Sequence, residues 1–281
     1  MKKKLALILA GTAMAAMVLA GCGEKNNASG EDVKTAESVE DKKTFTVGFD
    51  AEYPPYGYMD ENGEYTGFDL ELAEAVCKLE GWELVKKPLN WDSKDMELNS
   101  GSIDCIWNGF TMNGREDDYT FSTPYVDNSQ VIVVAEKSGI DTLEDLAGKT
   151  VGVQAASAAL DLLKSEEEGG QKKLADTFGA LNEFADYNTA FTELQAGALD
   201  ALAIDVGVAN YQIKSRGEGY KILDETLNTE QYAIGFKKGN QELCDVVNAD
   251  LKKLTEDGTV ASINVSAGDA VEAGDVLATL N

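Results

Sequence analysis

The chain has 281 residues, 43% of them hydrophobic and 26% charged, the balance of a globular protein with enough material for two lobes. Asp and Glu outnumber Lys and Arg 50 to 24, and the formal net charge of −26 excludes sequence-independent nucleic-acid binding, which needs basic side chains against phosphates. Histidine is absent, which excludes Ser-His-Asp and Cys-His catalysis and any His-ligated metal site.

The chain opens on Met1, three lysines (Lys2, Lys3, Lys4) and an apolar run from Leu5 to Ala20, the layout of an export signal. That run is on the edge of what can span a bilayer, so an uncleaved anchor competes with the signal. Leu19-Ala20-Gly21-Cys22 decides against the anchor. It resembles a bacterial lipobox, in which Cys22 receives a diacylglyceryl thioether and becomes the mature N-terminus. The expectation is a signal peptide over residues 1–21 and an extracytoplasmic protein held to the bacterial cell membrane through its lipid alone. Residues 22–43, rich in Gly, Asn, Ser, Glu, Asp and Lys, cannot bury a core and read as a flexible tether.

Two long-range repeats follow. Thr46-Val47-Gly48-Phe49-Asp50-Ala51 matches Thr150-Val151-Gly152-Val153-Gln154-Ala155, each a short β-rich run. The stretch Glu97–Ile106 (Glu-Leu-Asn-Ser-Gly-Ser-Ile-Asp-Cys-Ile) matches Glu193–Leu202 (Glu-Leu-Gln-Ala-Gly-Ala-Leu-Asp-Ala-Leu), each a helix end closed by Gly, then an Asp and an apolar strand. Between them the spacing predicts helices over Asp69–Glu80, with Leu72, Val76 and Leu79 on one face, and over Ser157–Glu168. Strand–helix–strand repeated twice predicts two α/β lobes with mostly parallel sheets, whose ligands sit beyond the carboxyl ends of the strands. The repeat therefore pairs Asp50 with Gln154, and Gly109 with Asp205, at the cleft. Cys77, Cys105 and Cys244 are an odd number, too few for a disulfide framework, and are expected to be buried small hydrophobes.

Gly67-Phe68-Asp69-Leu70-Glu71-Leu72, followed by Val76-Cys77, resembles the signature of the family 3 extracellular solute-binding proteins, the polar amino-acid receptors of ABC importers. Glu80 departs from the signature's last position, where a small or apolar residue is usual. The resemblance covers about Phe45 to Gly258. It implies a two-lobed periplasmic-binding-protein type II fold, each lobe a mostly parallel sheet flanked by helices, joined by two hinge strands. Lobe 1 would comprise residues 44–133 and 230–258, and lobe 2 residues 134–229.

The same resemblance implies a clamp for a zwitterion. Arg115, in Phe110-Thr111-Met112-Asn113-Gly114-Arg115, would fork onto the ligand's α-carboxylate, and Asp205, ending the apolar run Ala201–Ile204, would receive its α-ammonium. Tyr53 and Trp91 would sandwich the ligand. Asn108 and Gly109 would present backbone groups, and Thr111 would give its hydroxyl and N–H to the carboxylate. Gln154-Ala155-Ala156-Ser157-Ala158 would form the turn into a helix, with Ser157 as N-cap and free N–H groups toward the carboxylate; the family more often has Gly where Ala156 stands. Asp50 would read the ligand's side chain from across Gln154. No catalytic residue, metal or cofactor is expected; the partners implied are an amino acid and the permease and ATPase subunits of an importer, with no nucleic acid.

After Gly258 the chain departs from the family. Residues 259–281 look like the first half of a biotinyl/lipoyl carrier domain, but no lysine follows Lys253 to carry the group. That tail is expected to be poorly packed, since half a small sandwich rarely folds unaided. Two further classes compete with a transport receptor. One is a dehydratase-like enzyme on the same fold acting on a prephenate-like acid; the other is a ligand-sensing module. The absence of histidine, the lipobox and the zwitterion pair weigh against the first, and the lack of any following transmembrane or signalling segment in this sequence against the second.

Overall fold

The structure is a computed structural model that describes residues 39–256 apart from residue 218. The expected signal peptide, residues 22–38 of the tether with Cys22, and the tail of residues 259–281 lie outside the described residues.

Strand β1 (Thr44–Phe49) places Phe45, Val47 and Phe49 in the core on alternate positions. A small sheet of β2 (Glu52–Tyr53), β3 (Gly57–Met59) and β4 (Tyr65–Thr66) then intervenes before α1 (Phe68–Glu80). Leu72 and Val76 of α1 are buried as their spacing predicts, but Leu79 is 46% exposed. Trp82, just past the Gly81 turn, stacks on Phe45 at 5.4 Å between ring centroids and covers the start of β1 instead. Strand β5 (Glu83–Pro88), α2 (Lys94–Ser100), β6 (Cys105–Ile106) and β7 (Tyr119–Phe121) complete this half.

The chain crosses into β8 (Val126–Ala135) and then repeats the unit with β9 (Thr150–Gln154), α3 (Ala158–Lys164), α4 (Lys172–Ala175), β10 (Ala180–Phe184), α5 (Tyr187–Ala196) and β11 (Ala201–Asp205). Helix α3 stops four residues before the end its spacing predicts. Glu166, Glu167 and Glu168 would repel one another at a helix C-terminus whose dipole already disfavours anions, and two glycines follow. After α6 (Val206–Arg216) and β12 (Tyr220–Ile222), strand β13 (Asn228–Tyr232) leads back to β14 (Gly235–Lys237) and α7 (Gln241–Glu256), which packs on α1.

The first sheet runs β5-β1-β6-β14-β7 and the second β10-β9-β11-β8-β12, with β13 also on β8. Each has a parallel core of three strands, β5-β1-β6 and β10-β9-β11, extended by antiparallel strands, so the sheets are mixed. The repeat read from the sequence is a repeat of structure. Asp104 accepts the N–H of Thr46 at 2.7 Å, and Asp200 accepts that of Thr150 at 2.8 Å, each pinning the start of a central strand.

Two crossings join the lobes side by side. Tyr125 N–H donates to the Tyr232 carbonyl at 2.9 Å, and Ser122 N–H to the Ile234 carbonyl at 3.0 Å. The expected change of lobe at residue 133/134 falls inside β8, whose Gln130–Val134 already pair with β11, and the expected return at 229/230 falls inside β13. Cys77, Cys105 and Cys244 are buried and free.

Candidate functional site

Beyond the carboxyl ends of β1 and β9 the lobes face each other. Asp50 accepts from Gln154 Nε2 at 2.6 Å, the contact across the cleft that the repeat predicts. Asn188 of α5 also reaches Glu52, and Lys94 of α2 reaches the Ala156 carbonyl at 3.5 Å.

Tyr53, Trp91, Gly109, Phe110, Thr111, Arg115, Gln154, Ser157, Ala158 and Asp205 line one cavity of about 10 Å³, the room of a single water. Asp50 and Trp91 line a larger neighbouring cavity of about 380 Å³, together with Glu52, Asp92 and Asp186. Asn108 lines neither. It is buried, and neither atom of its side-chain amide has a hydrogen-bond partner among the described residues.

Local sequence explains how Arg115 is delivered. The loop after β6 is tied to β13: Met112 N–H donates to the Gln231 carbonyl at 3.0 Å, and Gln231 N–H donates to Asn113 Oδ1 at 2.7 Å. Arg115 then closes a turn on the Met112 carbonyl and lies over the Phe110 ring at 5.1 Å. Its guanidinium pairs at 2.7 Å with Asp161 of α3, on the opposite lobe.

Asp205 is 3% exposed, and its Oδ1 accepts from Tyr232, Asn128 and Gln130 at 2.7–2.8 Å. Burial, reinforced by the nearby Glu230 charge, pushes its carboxyl up to about 6. Asp50 is likewise pushed up to about 6 by burial, opposed by hydrogen bonds from Glu52 N–H and Gln154.

Gly109 behaves differently from expectation. Its N–H donates to Asp69 Oδ2 at 2.5 Å instead of facing the cleft. Asp69 is fully buried, also accepts from Tyr125 at 2.9 Å, and is raised to about 7 by burial. The position requires glycine twice over: φ is +56°, and a Cβ would meet Tyr232 at 2.9 Å. Thr111 differs too. Its hydroxyl donates to Glu230 Oε1 at 2.7 Å, so that proton is committed away from any carboxylate bound at Arg115.

In lobe 2, Ser157 caps α3 as expected, accepting the N–H of Leu160 at 3.2 Å. The preceding Ala156 adopts φ +55°, a left-handed conformation that glycine takes more readily. Trp91 packs edge-on against Phe110, while Tyr53 lies between Tyr56 and Tyr187 with its hydroxyl 3.4 Å from that of Tyr232.

The sequence reading missed Asp69 as an anchor, and with it Asn128, Gln130, Glu230 and Tyr232. The alternation of β13 offered a signal, since Glu230 and Tyr232 share its buried face.

Residues 45–266 match the bacterial extracellular solute-binding proteins, family 3. An L-cystine-binding protein of Escherichia coli (strain K12) is 29% identical over 254 residues, 89% of this chain and 91% of that protein. An arginine-binding extracellular protein of Bacillus subtilis (strain 168) is 33% identical over 267 residues, 94% of this chain and 96% of that protein. An ABC uptake transporter substrate-binding protein from Streptococcus pneumoniae, solved with bound histidine, superposes with a TM-score of 0.73 at 34% identity, covering 78% of this chain and 90% of that one.

Proposed function

Because the chain belongs to the bacterial extracellular solute-binding proteins, family 3, we propose that it captures a polar or basic L-amino acid between its lobes and delivers it to the permease and ATPase of an ABC importer, held to the membrane through a lipid on Cys22. One observation carries the ligand class. Arg115 from one lobe and Asp205 from the other line the same cavity, so opposite charges face the two ends of a zwitterion.

The side-chain end is read by the larger cavity. Asp50, Glu52, Asp92 and Asp186 give it four carboxylates, which attract a cationic or hydrogen-bonding side chain and repel that of aspartate or glutamate. The paired crossings near residues 122–125 and 232–234 are the pivot about which the lobes open and close. Binding, not turnover, is the role, as in the named binding proteins to which the chain is similar.

A thermal-shift panel of the amino acids, followed by calorimetry, tests the ligand. Basic and neutral polar amino acids should raise Tm; a panel in which only aspartate or glutamate binds overturns the side-chain assignment, and turnover of prephenate without amino-acid binding overturns the receptor role. For the anchor, Cys22→Ala should release the protein from the membrane fraction. If the variant stays membrane-bound to the same extent, the lipid has no part in its attachment.

A further inference from the structure

Asp205 is not alone at the floor of the cleft. Glu230 of β13 is 4% exposed, and its Oε1 accepts from Asn128 Nδ2 and Gln130 Nε2, each at 2.8 Å. The same two amide nitrogens donate to Asp205 Oδ1 at 2.8 and 2.7 Å. A side-chain amide nitrogen has two hydrogens, so Asn128 and Gln130 each give one to each carboxylate and hold the two acids as a pair. This fixes the orientation of both amides. Their carbonyl oxygens are turned away from the carboxylates and find no hydrogen-bond partner among the described residues.

The third donor to Glu230 Oε1 is the Thr111 hydroxyl, at 2.7 Å. A hydroxyl has one proton and two lone pairs. With the proton on Glu230, Thr111 can only accept from whatever lies beside it in the cavity it lines. Tyr232 is committed in the same way, its proton on Asp205 at 2.7 Å. Beside Asp205, then, the Thr111 hydroxyl faces the cavity as an acceptor, and a group that only donates and carries positive charge is the complement of this pair.

We propose that Glu230 is a positioning and specificity-determining residue: by holding the Thr111 proton and pairing with Asp205 through Asn128 and Gln130, it leaves the Thr111 hydroxyl and the Asp205 carboxylate as paired acceptors that favour a protonated primary amine. Amino-acid analogues that lack this amine, or carry it as an amide, are held more weakly by this end of the site. The inference rests on the amino-acid reading above.

The test compares, by calorimetry, the best-binding amino acid of the panel with its des-amino analogue, the same acid without the α-amine, on wild type, Glu230→Gln, Thr111→Val and the double variant. An amide at 230 keeps a carbonyl oxygen toward Thr111, Asn128 and Gln130 but removes the negative charge that favours an ammonium beside Asp205. Glu230→Gln should weaken the amino acid about 10- to 100-fold while changing the analogue less than about threefold, since charge-assisted hydrogen bonds carry 1.5–3 kcal/mol and each 1.4 kcal/mol is about tenfold. In the Thr111→Val background the same substitution should cost less, because the two act through one contact. Equal weakening of both ligands, or none, overturns the proposal. If Glu230→Gln does not fold by circular dichroism, Thr111→Val alone decides: it should weaken the amino acid and spare the analogue, and Thr111→Ser, which restores a hydroxyl, should recover most of the loss. Wild type that binds amino acids without needing their amine overturns this inference and spares amino-acid binding itself; wild type that binds no amino acid overturns both.

Discussion

The two lobes are built from one strand–helix–strand unit, yet they present different groups at equivalent strand ends. In lobe 1 the first strand ends at Phe49, just before Asp50, and a three-stranded insert separates it from α1; in lobe 2 the matching strand ends at Gln154 and α3 starts four residues later at Ala158. The second pair differs in kind. Lobe 1 has Gly109, whose missing side chain makes room for Tyr53 and Tyr232 and whose N–H is taken by Asp69; lobe 2 has Asp205, whose carboxylate stays in the cleft. Lobe 1 supplies the cation, Arg115, and lobe 2 the anion. On the proposed function, the duplicated scaffold becomes selective because each copy contributes one of two complementary charges, and a ligand with two opposite charges needs both.

The division of charge between the lobes breaks first if either member is removed. Arg115→Ala and Asp205→Ala should each lose roughly two to three and a half decades of affinity, the 3–5 kcal/mol expected when one partner of a desolvated pair is deleted. Calorimetry on variants with unchanged circular dichroism checks this, and losses under about threefold for both would refute the two-lobe clamp.

Asp50 against Gln154 sharpens the other pair. Asp50→Asn should weaken arginine or lysine by about ten- to a hundredfold and neutral ligands far less, because an amide still hydrogen-bonds but no longer attracts a cation. Equal losses across the panel would mean that Asp50 only bridges the lobes.

The third expectation concerns pH and has two signs. Asp50, Asp69 and Asp205 all titrate higher in the folded protein than as ordinary carboxyls, at about 6, 7 and 6. The native state then holds these protons more tightly than the unfolded chain does, so the free protein loses stability as pH rises from about 4 to about 7. Ligand binding should run the other way, since the proposed ammonium contact needs an ionised Asp205 beside Glu230. Between pH 7 and pH 5 the affinity should fall about tenfold while Tm of the free protein rises. Melting curves with and without ligand across that range measure both, and an affinity flat over the range would remove Asp205 from the ammonium site.

The smallest effect lies in the lobe 2 turn. Ala156 at φ +55° should make Ala156→Gly more stable by about 1 kcal/mol, the cost of a left-handed backbone for a residue with a Cβ, with affinity unchanged. Denaturant unfolding reads it directly, and a destabilised variant would show that the turn is not strained by alanine.

The sequence by itself determined what depends on neighbours in the chain. The repeated strands, the helix ends before Gly101 and Gly197, the Ser157 cap and the facing of Asp50 and Gln154 all follow from local periodicity, turn chemistry and an internal match. The family resemblance added Arg115 and Asp205, which line one cavity. Only the tertiary structure decided the state of the hydrogens around them. The Gly109 N–H goes to Asp69, 40 residues away in sequence, and the Thr111 proton to Glu230, 119 residues away. Asn128 and Gln130 reach Glu230 across 102 and 100 residues, because β13 returns to pair with β8. Periodicity records which face of a strand is buried, but a buried polar group takes its partner from whichever strand the topology lays against it, and that choice is made between segments far apart in the chain.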